Sequence, residues 1–239
     1  MGEENAEAAE PRTLRGARAT AARRRAREDE IIRATRTLFD TVGVRDAQIE
    51  DIAQAVGINR AIIYRHFSGK EELFAVTLIG YLDEIAEVMR AADDESAPTP
   101  QRLTSVAEAF LDRGHEYPAF VDCALDLLSK SAEELFESVS EGAMIRLGRG
   151  MLGPLGALAH VLEDGNKTGE FHVDDPFMLA NMLYTQSLGA LQFARNQLLV
   201  SEGAPGVPAV RRVPWEAVKR HTIRAVHAMA VADDVDDRP

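Results

Sequence analysis

One cysteine, Cys123, stands in a chain of 239 residues. That excludes a disulfide within the chain and fits a reducing compartment. Cys123 falls inside the apolar pattern over 120–128, so a buried structural thiol is expected rather than a reactive one. Metal chemistry is equally short of material. His221 and His227 are six apart and lie on different faces of a helix, His160 and His172 are separated by a turn, and the side chains of His115 and Glu116 diverge. No G-x-S-x-G elbow, Walker loop or H-E-x-x-H pair is present. No metal, no cofactor and no enzymatic activity are therefore expected. Gly148, Gly150 and Gly153 spell G-x-G-x-x-G, but no strand precedes them. A glycine-softened helix, kinked before Pro154, is the expectation. The N-terminus is polar and lacks the apolar run of a signal peptide. The stretch 176–194 carries no charge, yet it holds Asn181, Thr185, Gln186, Ser187 and Gln192. It reads as a helix buried in protein, not in lipid, so no membrane association and a cytoplasmic location are expected.

Positive charge is also scarce, with a net of −12. Its distribution matters more than its sum. Residues 11–75 carry 13 Lys/Arg against 9 Asp/Glu, a net of +4. The first ten residues contribute −4, and residues 76–239 carry 14 basic against 26 acidic side chains. A basic segment on an acidic chain is the electrostatic footprint of a nucleic-acid-binding head.

That basic segment contains the most telling pattern. Ile49, Ile52, Ala53 and Val56 recur at helical spacing. Gly57 follows, where the chain turns away through a conformation that suits glycine. Asn59 is a favoured N-cap for a short helix in which Ile63 and Phe67 face inward. Arg60, Ala61, Tyr64 and Arg65 are left outside. Ser68 and Glu71 have the spacing of a capping box for the next helix. Helix, turn, short exposed helix: this is a helix-turn-helix. Arginine pairs bidentately with guanine, while Tyr, His and Lys suit phosphate oxygens.

These residues resemble the TetR family of bacterial transcriptional regulators. The likeness runs from Ile31 to Leu73 through Ala34, Leu38, Phe39, Gly43-Val44, Ile52-Ala53, Gly57-Ile58, Tyr64-Arg65-His66-Phe67 and Lys70-Glu71-Glu72-Leu73. It implies an all-α protein, with a three-helix DNA-binding head followed by a larger helical body for effector binding and dimerisation. It also implies base-reading positions at Arg60, Ala61, Ile62 and Arg65, and phosphate-holding positions at Tyr64, His66 and Lys70; before the second helix only Gln48 offers a side-chain donor to a phosphate. Ala47-Gln48 replace the Thr or Ser usual before the second helix, and Ile62 replaces a common Thr. The operator reading is therefore this chain's own.

The expected organisation is a flexible N-terminal arm over 1–25, arginine-rich from 11, then the head over 26–73. The body spans 74–232 and an acidic tail 233–239. Residues 11–27 hold seven arginines and no acid. Either a solvated helix extension or a DNA-following arm fits that composition; beside a helix-turn-helix the arm is favoured, with Arg23, Arg24, Arg25 and Arg27 on DNA. In the body, a helix from Lys70 to Ala91 links the two parts. Further helices follow over 101–114, 118–129, 131–164, 176–201 and 214–232, with a Gly/Pro loop at 203–213. No strand is predicted beyond a short extended piece at 171–173. Phe110, Tyr117, Phe120, Leu127, Met144, Leu147, Met151, Met182, Tyr184 and Gln186 are the material for an effector pocket, which would suit a small hydrophobic molecule. The last two long helices are the candidate homodimer interface, with Trp215, Val218, Thr222, Ala225 and Met229 at a 3-4 spacing. The partners so implied are a double-stranded, pseudo-palindromic DNA operator, a small-molecule effector that releases a repressor, and a second copy. A DNA-binding regulator governed by a protein partner, or an architectural role, is the alternative.

Overall fold

The structure, a computed structural model, describes residues 12–231, with side chains from Arg18 onward. The described residues are predominantly helical, with one two-stranded hairpin. The elements are α1 (Arg12–Val42), α2 (Ile49–Val56), α3 (Arg60–His66), α4 (Lys70–Ala92), α5 (Thr99–Glu116) and α6 (Pro118–Leu128). Then come α7 (Ala132–Ser138), α8 (Glu141–Thr168), α9 (Pro176–Asn196), β1 (Leu198–Ala204), β2 (Val207–Arg212) and α10 (Trp215–Val231).

The expected flexible arm is corrected over its described part. From Arg12 on it is continuous with the first helix of the head. The arginines alternate with Ala17, Ala19, Ala21, Ala22 and Ala26, and both residue types are strong helix formers. The segment from Arg12 to Arg25 is thus a helical extension of the head. Residues 1–11 and the acidic tail lie outside the described residues.

Helices α1, α2 and α3 close around Ile31, Phe39, Ile52, Ile63 and Phe67, each at most 3% exposed. Phe39 meets Phe74 of α4 edge to face, with ring centroids 4.5 Å apart. α4 therefore belongs to both parts: its first turns cover the head and the rest forms the spine of the body. α8 lies along that spine. Two glycines set their closeness. A Cβ on Gly153 would stand 2.8 Å from Ala86 Cβ, and one on Gly150 would stand 3.3 Å from Ile79 Cγ2. α5 and α9 complete the core around α4 and α8, and α10 packs on α5 and α9. At the far end of the body, buried Arg102 holds Asp93 and Asp164 at 2.6 and 3.0 Å, tying α4 to α8 through α5.

Three boundaries differ from the sequence expectation. The capping box at Ser131 and Glu134 is present, but the helix it opens ends at Ser138. Ser140 then caps α8 by accepting from Ala143 N. At α4 the cap is Gly69, without a side-chain bond. Glu72, not Glu71, reaches back and accepts from Ser68 N at 3.0 Å. Finally, α9 stops at Asn196, and the expected helix end and loop form an antiparallel hairpin. Gln197 terminates the helix at φ 54°. Pro205-Gly206 then makes the turn, with Gly206 at φ 75°; proline presets the first corner and glycine takes the positive φ of the second. Leu199, Val200, Val207 and Val210 favour the extended backbone on either side.

Candidate nucleic-acid interface and body cavity

The helix-turn-helix is built by local signals. Gly57 takes φ 71°, and its N–H returns to α2 carbonyls. Asn59 Oδ1 accepts from Ala61 N at 2.9 Å, starting α3. Ile63, 1% exposed, anchors α3 from below. Arg60, Ala61, Tyr64 and Arg65 consequently share the exposed side, with Ile62 half-buried at its margin. Gln48 is exposed at the start of α2, and Lys70 is half-buried at the start of α4. The Lys70 ammonium lies 4.9 Å from the centre of the Phe74 ring.

Two of these residues already have partners. Arg60 donates to Glu50 at 2.9 Å, across from α3 to α2. That hydrogen bond holds the Glu50 carboxyl below its ordinary pKa. His66 has the second. Its side chain is only 13% exposed, and Nδ1 lies 3.1 Å from Glu28 Oε1 of α1. Burial pushes the Glu28 carboxyl up, but Arg24 and His66 outweigh it and hold it below the usual range. His66 sits at the last turn of a seven-residue helix, where the face opposite Tyr64 turns toward α1. It ties α3 to α1 instead of standing at the surface.

Of the expected arm arginines, Arg24 pairs with Glu28 at 3.0 Å and Arg27 with Glu30 at 2.7 Å. Arg23 and Arg25 are exposed.

Head and body meet through a shared carboxylate. Glu84 of α4 accepts from Arg36 of α1 at 2.5 and 2.8 Å, and from Arg113 of α5 at 2.8 Å. The Arg36 guanidinium also lies over the Tyr81 ring at 4.3 Å, and Arg113 over Tyr117 at 4.2 Å. Tyr81 donates to Asp40 at 2.6 Å. The Arg36 hydrogen bond is the main cause of a lowered Glu84 pKa. A second tie lies nearer the head: buried Glu72 accepts from Ser68 and, at 2.7 Å, from Ser140 at the start of α8. Sequence reasoning missed both ties, because each joins residues far apart in the chain.

The body encloses a small cavity of about 20 Å³, room for about one water. Met89 of α4, Phe110 of α5, Pro154 and Leu158 of α8, and Tyr184 and Ser187 of α9 line it, with Ala107, Leu155, Ala180, Leu183 and Val226. Only Phe110 and Tyr184 of the expected pocket set are there. Phe120 is sealed in the core against Phe110 and Tyr81. Tyr117 packs under Arg113. Leu127, Met144, Leu147 and Met151 pack elsewhere in the body, outside the cavity wall. Met182 and Gln186 stand on the outer face of α9. They sit two residues from Tyr184, roughly 200° around the helix. The overlooked residue was Ser187, three residues from Tyr184 on the same apolar stripe, which adds a second hydroxyl.

The outer face of α9 carries Phe177, Met178, Met182 and Phe193, all exposed and without a charge between 176 and 194. On α10, however, Val218 and Thr222 are buried within the chain, and Trp215 stacks on His115 at 4.2 Å. Much of the expected dimer stripe of α10 thus faces its own body. No helix among the described residues is long and apolar enough to cross a membrane.

Residues 31–77 match the family of bacterial regulatory proteins described as the tetR family. Over 86 residues the chain is 30% identical to the HTH-type transcriptional activator FasR of Mycolicibacterium smegmatis, a match covering 36% of this chain and 39% of FasR. Over 158 residues it is 28% identical to the HTH-type transcriptional repressor KstR2 of Rhodococcus jostii, covering 64% of this chain and 72% of KstR2. The chain thus spans well under half of one curated relative and about seven-tenths of the other. Among solved structures, RolR in complex with resorcinol has the same fold, with a TM-score of 0.63 at 16% identity over 92% of this chain and 97% of that one. The chain thus carries a helix-turn-helix head of the tetR family over 31–77, on a body with the all-helical fold of RolR.

Proposed function

We propose that the protein is a homodimeric DNA-binding transcriptional repressor, released from a pseudo-palindromic operator by a small, neutral, largely apolar effector. The observation that carries the DNA-binding part is the exposed face of α3, with Arg60, Ala61, Tyr64 and Arg65 together on a buried Ile63 anchor. In this reading Arg60, Ala61, Ile62 and Arg65 meet base edges, and Gln48, Tyr64 and Lys70 hold phosphates. Arg60 exchanges Glu50 for a base when DNA arrives. Arg23 and Arg25 on the helical extension of α1 follow the neighbouring backbone. Two heads would read half-sites about 34–36 Å, or a multiple of that, apart. Repression is supported by the KstR2 match, which reaches beyond the head into the body. The head comprises α1 to α3 and the body the remainder, joined by α4.

The effector chemistry follows from the cavity wall. No charged side chain lines it, so a carboxylate would lose its water without gaining a counter-ion. Tyr184 and Ser187 offer hydroxyls among apolar side chains. Burial pushes the Tyr184 hydroxyl pKa up, so it stays a neutral donor. A molecule with one hydroxyl or carbonyl on an apolar frame fits that wall. Entering a cavity of this size, it must part the helices that line it, α4 among them through Met89, and α4 starts directly behind the recognition helix. The effector shifts the equilibrium only because it binds the parted state more tightly than the closed one.

The test is binding of the purified protein to DNA upstream of its own gene, across a salt series. A selected site should be preferred over scrambled DNA at physiological salt. Arg65→Ala should cost about 1–3 kcal/mol and relax the preference at one base position, while Lys70→Ala should weaken all sequences alike. Equal affinity for selected and scrambled DNA would overturn the proposal.

A further inference from the structure

Between α9 and α10 the chain leaves the body as a hairpin that its own helices do not cover. Leu198, Val200 and Val210 are 58, 69 and 63% exposed. They share one face, because Val200 pairs with Val210 and Leu198 with Arg212, and paired residues point to the same side. The two strands pack on each other, and no helix of the described residues packs along them to a comparable extent. A two-stranded ribbon with nothing against its apolar face is at best marginally stable in water. Each strand is about 20 Å long at about 3.3 Å per residue. That is roughly twice the width of a helix, so the hairpin reaches across a helix lying beside its root.

The occupant follows from the position of that root. β1 begins two residues after α9, whose outer face is uncharged from Phe177 to Phe193 and exposes Phe177, Met178, Met182 and Phe193 among the polar Asn181, Thr185 and Gln186. The hairpin prolongs this surface at its C-terminal end. Arg211 and Arg212 give the hairpin base a positive charge, whereas residues 76–239 carry 26 acids against 14 bases. A second copy of the same body therefore offers the complementary charge.

We infer that the hairpin is an exchanged arm: each protomer lays its Leu198, Val200 and Val210 face over the body of a second copy and so enlarges the contact that α9 begins. Backbone groups on the outer edge of β1 also become available for pairing across that contact. Pro208 removes a donor from β2, which makes β1 the better edge. This inference rests on the reading of the chain as a dimer through its last helices.

The experiment is analytical ultracentrifugation of the full chain in a dilution series. Four proteins are compared: the parent, Val200→Asp with Val210→Asp, a variant with a short Gly-Ser linker in place of 199–211, and Met182→Asp on α9. Circular dichroism checks that each is folded. The exposed valines make the aspartate pair tolerable to the fold, and the linker variant separates loss of contact from added charge. The parent should be a dimer, and both hairpin variants should dissociate at concentrations at least about tenfold higher. If Met182→Asp weakens the dimer while both hairpin variants match the parent, the arm is overturned and the α9 interface stands. A parent that stays monomeric throughout overturns the interface and the arm together.

Discussion

Glu84→Gln isolates the joint between head and body. The substitution keeps the shape of the side chain and removes its charge. In the parent, the carboxylate accepts two bonds from Arg36 and one from Arg113, at 2.5, 2.8 and 2.8 Å. Charge-assisted bonds contribute about 1.5–3 kcal/mol each when well shielded. Here the three side chains are 34, 25 and 24% exposed, so water screens them, and the bonds share one acceptor. A total loss of about 2 kcal/mol is the reasonable magnitude. For a chain of this size that lowers Tm by about 4–8 °C at neutral pH.

The pH dependence has a definite sign. Arg36 holds the Glu84 carboxyl below its unfolded pKa. Its contribution is therefore complete above the unfolded value of about 4.3 and is lost as pH falls through the folded value. The Tm gap between parent and Glu84→Gln should be widest at neutral pH and close in acid. Thermal unfolding followed by circular dichroism at a series of pH values reads both quantities. Amide exchange should also quicken around Arg36 in α1 while α9 and α10 keep their protection. Equal Tm values at neutral pH, or a gap that persists undiminished near pH 3, would refute the argument.

The remaining predictions concern the cavity and one helix end. Phe171 packs over Gly165 so closely that an added Cβ would stand 1.9 Å from its ring. Gly165→Ala should therefore cost at least about 1–3 kcal/mol, measured as a fall in the urea midpoint without a change in slope. In the cavity, 4-propylphenol should raise the Tm of the parent and 4-propylbenzoate should not, because the wall has no cation. Tyr184→Phe combined with Ser187→Ala should erase the phenol effect while leaving operator affinity intact; a retained shift would place the ligand elsewhere.

What the sequence disclosed depended on how far apart the interacting residues lie. Gly57 and Asn59 act on their own turn, so the helix-turn-helix could be read residue by residue. The helix starts at 131 and 176 were legible for the same reason, since Ser131 and Asp175 each cap their own first turn. The contact of His66 with Glu28 was not legible, because the two lie 38 residues apart. The arginine block was read by its charge, although its alanines make it helical. Leu198 to Val200 continue the apolar character of α9, so the helix seemed to run on. The turn at Pro205-Gly206 was visible, but only its pairing partners make the flanking residues strands. The cavity draws its wall from five helices, and no periodicity along one helix identifies which apolar residues leave a gap.

Gly153 has a consequence for how the molecule could be locked. Its hydrogen is all that separates α8 from Ala86 of α4 at that crossing. One added methyl group would act there as a permanent wedge, inserted by mutation and never released. Gly153→Ala would thus part α8 from α4 by a covalent change at a crossing that the parent closes with a single hydrogen atom.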